Sequence, residues 1–121
     1  MADVQISSLV PLAQVKNVPE SVAFYERLGF RLANSFTPPG EDEPSWASLM
    51  GGRGELMIGK REEDANGAPP VAFYVYCEDV RRKHAELAAA GIEVGDIATP
   101  FFNPGGEFRI TDPDGYIVHV A

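Results

Sequence analysis

Cys77 is the single cysteine of this chain, so no internal disulfide can hold it together, and nothing near it has the spacing of zinc ligands. It reads as a small residue of the core. Basic residues are scarce as well: 10 Lys and Arg stand against 18 Asp and Glu, a formal charge of −8. Nucleic acids and anionic membrane surfaces call for clustered Lys and Arg, so neither is an expected partner. What such a charge would attract is a cationic small molecule. Long apolar runs are missing too, since nothing approaches the roughly 18 consecutive apolar residues of a membrane span. The opening MADVQISS also lacks the basic-then-apolar order of a secretory signal, and a cytoplasmic protein is the expectation. There is no phosphate loop, because Gly51-Gly52-Arg53-Gly54 precedes a strand and not a helix. No nucleophile stands beside a base in a recognisable motif. Covalent and phosphoryl chemistry therefore drop out.

What is present fits one domain spanning 1–121, with 45% hydrophobic residues to build a single core. The most informative stretch is GGEFRITDPDGYIVHV, Gly105 to Val120. Two runs with strand alternation, Glu107 to Thr111 and Tyr116 to Val120, flank Asp112-Pro113-Asp114-Gly115, a type I turn sequence. In this hairpin Phe108, Ile110, Tyr116, Val118 and Val120 share one face. Glu107, Arg109, Thr111, Ile117 and His119 share the other. A face that mixes Glu, Arg and His needs water, a partner or a ligand opposite it.

From the start, Leu9 to Val15 suggests a strand and Asn17-Val18-Pro19-Glu20 a helix start, with Asn17 as cap. The helix sets Val18, Val22, Tyr25 and Leu28 at helical spacing and stops at Gly29. A strand follows from Phe30 to about Asn34. The acidic clusters Glu41-Asp42-Glu43 and Glu62-Glu63-Asp64 sit beside Gly and Pro and read as solvated loops. Trp46 to Met50 and Glu55 to Gly59 read as strands, and Lys60 to Pro70 as a linker.

Past the linker the pattern recurs. A strand from Val71 to Tyr76 leads to an Asp79 cap and a helix with Val80, His84, Leu87 and Ala88 inward, then a stop at Gly91 and a strand from Ile92. An offset of 62 (80 − 18) lays Val18 on Val80, Gly29 on Gly91, Trp46 on Phe108, Leu56 on Val118 and Ile58 on Val120. The chain is thus expected to be α+β, with two βαβββ modules at about 8–60 and 71–121 as an internal duplication. The two would form one curved mixed sheet, each helix covering one side and the other side enclosing a cavity. Parity lines that cavity with Val10, Leu12, Gln14, Ala47, Leu49, Glu55, Met57 and Gly59 from the first module. From the second it takes Ala72, Tyr74, Tyr76, Glu107, Arg109, Thr111, Ile117 and His119.

Two βαβββ modules, SVAFYERLGF in the first helix and EFRITDPDGY before the last strand resemble the vicinal oxygen chelate superfamily. That group includes glyoxalase I, bleomycin-resistance proteins, fosfomycin-resistance enzymes and extradiol dioxygenases. The resemblance spans nearly the whole chain and is nearest to small bleomycin-resistance-like members. It implies a homodimer with a ligand crevice at the subunit boundary. It also implies that the superfamily's divalent-metal positions fall on Val10, Met57, Ala72 and His119. Val and Ala have no donor atom and a thioether suits soft ions, so only His119 can serve a hard metal. The expectation is a metal-free protein without cofactor that sequesters a small organic molecule, such as an antibiotic. The alternative is a metal-dependent lyase or dioxygenase with a degenerate site, or proton transfer by His119 or Glu107.

Ligand contacts are expected from Gln14, Met57, Tyr74, Tyr76, Glu107, Arg109 and His119. Each has a second reading. His119 can be a base or ligand donor, or an inward histidine bonded to Glu55 or Glu107. Arg109 and Glu107 can pair with each other, or clamp an acid and an amine. Tyr74 and Tyr76 offer flat walls with hydroxyl tips or are ordinary strand residues. Trp46 is assigned to the helix side as core, with stacking on a planar ligand as its rival. His84, inside a helix, is assigned a structural role.

Overall fold

The computed structural model describes residues 10–61 and 71–121. The chain divides into two compact units, Met1–Glu63 and Asp64–Ala121. The expected linker around 60–70 falls almost wholly outside the described residues, as does the cluster Glu62-Glu63-Asp64.

In the first unit, β1 (Leu12–Val15) leads to α1 (Val18–Leu28) and then to β2 (Arg31–Phe36), β3 (Trp46–Gly51) and β4 (Gly54–Lys60). Asn17 starts the helix as its sequence predicts: its side-chain Oδ1 accepts the Glu20 N–H at 2.9 Å. Gly29 ends it at φ 128°, donating its N–H to the Tyr25 carbonyl. Between these stops Val18, Val22, Tyr25 and Leu28 are buried, joined by Ser21 and Phe24. The strands form a sheet in the order β1-β4-β3-β2, with β1 parallel to β4 and the rest antiparallel. Helix α1 covers one face through β2, β3 and β4.

In the second unit, β5 (Ala72–Val75), α2 (Val80–Ala89), β6 (Phe108–Thr111) and β7 (Ile117–Val120) give a sheet in the order β5-β7-β6. Asp79 caps α2, its Oδ1 accepting the Arg82 N–H at 3.0 Å. The Asp-Pro-Asp-Gly turn forms, with Gly115 N–H on the Asp112 carbonyl at 3.1 Å and Gly115 at φ 91°. Asp112 is buried and its Oδ1 accepts the N–H groups of Asp114 and Tyr116, both at 2.9 Å. Phe108, Ile110, Tyr116, Val118 and Val120 are buried on one side of the hairpin, as alternation predicts.

Four expectations need correction. The strand from Ile92 is absent as a ladder; the segment meets the sheet through a Gly95 N–H to Arg109 carbonyl bond and an isolated bridge between Ala98 and Glu107. Gly91 and Gly95 and the polar spacing around them leave too little alternation for a full strand. Ala88 is exposed and not inward, while Leu87 is the buried residue of α2. Cys77 is half-buried, lining a cleft of about 360 Å³ with Asp79, Asn103 and Gly105, and is not a core residue.

The fourth concerns register. In β3–β4, Ala47 faces Ile58 and Leu49 faces Leu56, and all four are buried against the α1 side. In β6–β7 the equivalent pairs are Phe108 with Val120 and Ile110 with Val118. The repeat therefore runs at 62 on the last strand (118 − 56) but at 61 on the strand before it (108 − 47), because the second hairpin is one residue longer. Ala47 and Leu49 belong to the core and not to the cavity list, and Trp46 moves off the helix side. A shift of one residue exchanges the two faces of a strand.

Candidate functional site

Each sheet has one face opposite its helix, and the candidate residues stand there. In the second unit the register β5-β7-β6 sets Tyr74 beside His119 and His119 beside Arg109, a single row across three strands. A second row on the same face holds Ala72, Ile117 and Thr111. Strands lie about 4.8 Å apart, which brings neighbouring side chains of a row within contact range. The Tyr74 and His119 rings stack with centroids 4.5 Å apart and planes 12° from parallel. Tyr76, two residues on from Tyr74, continues the series at 6.1 Å and 24°. Tyr74 is 48% exposed and Tyr76 77%, so much of this π surface is open to an incoming molecule.

Arg109 and Glu107 lie on this face without pairing to each other. Among the described residues the one ion pair joins Arg82 to Glu86 on the surface of α2. Glu107 Oε2 is instead buried and has no hydrogen-bond partner among the described residues. Arg109 is exposed. The readings of Glu107–Arg109 as an ion pair and of His119 as bonded to Glu107 therefore give way: His119 makes a ring contact with Tyr74. In the first unit Glu55 accepts the Ser48 hydroxyl at 2.9 Å. His84 is structural as expected, its Nε2 2.9 Å from the Gly95 carbonyl and its ring edge-on to Phe108 at 4.9 Å.

In the first unit Gln14 pairs with Gly59, which pairs with Trp46, and Met57 stands between Leu12 and Ser48. Gly59 has no side chain, and a Cβ there would come within 3.3 Å of Leu12 Cδ1. Gln14 and Leu12 are exposed, Met57 and Trp46 half-buried. Trp46 is the functional candidate that offset reasoning misplaced. The signal that finds it is local: in Trp46-Ala47-Ser48-Leu49, polar Ser48 shares Trp46's face and apolar Leu49 shares Ala47's.

The residues that the resemblance assigns to a metal are a poor donor set for a hard ion. Val10 and Ala72 bring no donor, Met57 brings a thioether, and His119 is the one nitrogen ligand. Among the described residues no three His, Cys, Asp or Glu side chains gather in a group able to hold an ion. What the faces offer instead is aromatic surface, guanidinium groups and hydrogen-bonding groups, the chemistry of a binding site for an organic molecule. Among the described residues no helix is long and apolar enough to cross a membrane.

Comparison with known proteins agrees with this architecture. The family model described as Glyoxalase/Bleomycin resistance protein/Dioxygenase superfamily matches residues 6–120. No curated protein matches the chain in sequence. Among solved structures, a bleomycin-binding protein complexed with bleomycin is 20% identical with a TM-score of 0.72, over 95% of this chain and 97% of that one. The bleomycin resistance determinant encoded on the transposon Tn5 is 19% identical, with a TM-score of 0.73 over 95% and 96%. TnmS3, an antibiotic binding protein from Streptomyces sp. CB03234, is 20% identical, with a TM-score of 0.76 over 98% and 97%. At these identities the likeness is one of fold.

Proposed function

Because the chain belongs to the glyoxalase/bleomycin resistance protein/dioxygenase superfamily, we propose that it holds a small organic molecule on these open sheet faces, stoichiometrically and without a metal, as a drug-sequestering protein does. Two observations support this above the others: the positions that the resemblance assigns to metal ligands carry Val10, Met57 and Ala72, and the open face of the second unit carries a partly exposed series of stacked rings. Ring surface left exposed to solvent costs the protein hydrophobic free energy that a flat ligand recovers on binding. Gln14 and Met57 with Trp46 in the first unit, and Tyr74, Tyr76, Arg109 and His119 in the second, are the contacts proposed. The formal charge of −8 draws cations from a distance, but the groups on the face decide what stays.

A homodimer is part of the proposal. Strand β2 is an edge strand exposed along its whole length, with Leu32 and Phe36 among its exposed apolar residues, and such an edge is ready to be covered by a second copy.

The test is a thermal-shift screen of antibiotics, bleomycin-type glycopeptides included, with the ligand recovered afterwards and its mass measured. A binder raises Tm in proportion to ln[ligand] and returns the molecule unchanged. A molecule consumed in the tube would make the protein an enzyme, and a screen in which nothing moves Tm would end the sequestration reading.

A further inference from the structure

The second unit's open face presents an exposed cation although the chain as a whole is acidic. Arg109 is exposed on β6 beside His119, and its guanidinium has no carboxylate partner among the described residues. The carboxylate two positions away on the same strand face, Glu107, has its Oε2 buried and forms no ion pair with Arg109. The other members of this face, Ala72, Thr111, Tyr74, Ile117 and His119, carry no negative charge. An incoming molecule therefore meets an unpaired planar cation next to two stacked rings. Charge elsewhere on the chain is damped over about 8 Å at physiological salt, whereas a contact on this row is immediate.

Guanidinium presents a rigid fork of donors that matches the two oxygens of a carboxylate, and such charge-assisted pairs are about twice as strong as neutral hydrogen bonds. The His119 and Arg109 positions are one strand spacing apart, about 4.8 Å. A ring laid against His119 thus lies beside the strand that carries Arg109, and an acid group attached to that ring directly or by a short link comes within reach of the guanidinium. We propose that the row Tyr74–His119–Arg109 selects an aromatic carboxylate, its ring on the stacked tyrosine and histidine and its carboxylate on Arg109. This rests on the small-molecule-binding reading and sharpens it to an anionic, planar ligand class.

Isothermal titration of the full chain with three matched probes tests it: 2-naphthoate, 2-naphthamide and 2-naphthylmethylammonium. The wild type binds the acid about tenfold or more tightly than the amide, the value of one charge-assisted pair over a neutral one. Arg109→Gln, an exposed change that leaves the fold intact by circular dichroism, removes that preference and leaves the amide affinity within about threefold. Tyr74→Leu weakens acid and amide alike. The inference is overturned if the amide or the ammonium binds the wild type as well as the acid does, if Arg109→Gln keeps the acid preference, or if none of the three binds. A rise in Tm with the antibiotic panel alongside any of those results would leave the sequestration reading standing while this one fails.

Discussion

Tyr74 and His119 face each other on the parallel strands β5 and β7, and their rings stack at 4.5 Å with planes 12° from parallel. The contact orients the imidazole without a hydrogen bond to Glu107, so His119 meets the site as one plate of a π surface. Its position on the row is set from both sides, by Tyr74 on β5 and by Arg109 on β6.

That stack is expected to couple measurably. Stacked aromatic pairs contribute roughly 0.5–1.5 kcal/mol beyond burial, and Tyr74 is 48% exposed, so little else depends on it. In a urea double-mutant cycle, Tyr74→Leu and His119→Ala should each cost under about 1.5 kcal/mol and couple by about 0.5–1 kcal/mol. Additive costs would mean the two rings are merely adjacent.

The turn that joins β6 to β7 depends on one carboxylate. Asp112 Oδ1 takes two backbone N–H groups, those of Asp114 and Tyr116, in a buried position. Asp112→Ala leaves both donors without this acceptor and should cost about 2–3 kcal/mol, while Asp112→Asn keeps an acceptor oxygen and should cost less than half as much. Because this turn sets the register of Arg109 against His119, the alanine variant should also weaken ligand binding in the same titrations. Equal losses in stability for the two variants would show that charge, and not the acceptor, holds the turn.

The α1 helix, its Asn17 cap and Gly29 stop, and the alternation of the last hairpin were all legible because each rests on local chemistry: a side-chain acceptor, a residue free at positive φ, a period of two. The faces of Gln14, Met57, Tyr74, Arg109 and His119 followed from the same alternation. Two things were not legible. Whether Glu107 pairs with Arg109 or turns away is a choice between rotamers of nearly equal reach, decided by packing and not by spacing. The face of Trp46 was hidden by the duplication itself, since a constant offset between repeats ignores that one hairpin is a residue longer than the other.

This register has an energetic signature. Leu49 is fully buried in the α1-facing core, whereas Trp46 is half-buried on the open face opposite Gly59. Leu49→Ala should therefore cost about 2–5 kcal/mol in urea denaturation, as core truncations do. Trp46→Ala removes a larger ring but leaves no closed cavity, and it should cost less than Leu49→Ala while changing ligand affinity more. The reverse order of stabilities would put Trp46 back in the core.

Glu107 is secured by its backbone and not by its side chain. Its N–H and carbonyl both bond Ala98, at 2.9 and 2.8 Å, while its Oε2 is buried without a hydrogen-bond partner among the described residues. A buried acceptor left unsatisfied costs about 1–3 kcal/mol, and more when it is charged. Glu107→Gln keeps the shape, removes the charge and lowers that desolvation cost, so the variant should be about 1 kcal/mol more stable than the wild type in urea at neutral pH. It also takes a negative charge from a position two residues from Arg109, so 2-naphthoate should bind the variant as tightly as the wild type or more so. A less stable variant would reveal a donor that satisfies the carboxylate in solution. A variant that loses naphthoate affinity while keeping its fold would place Glu107 inside the binding surface, with Arg109 needing it for alignment.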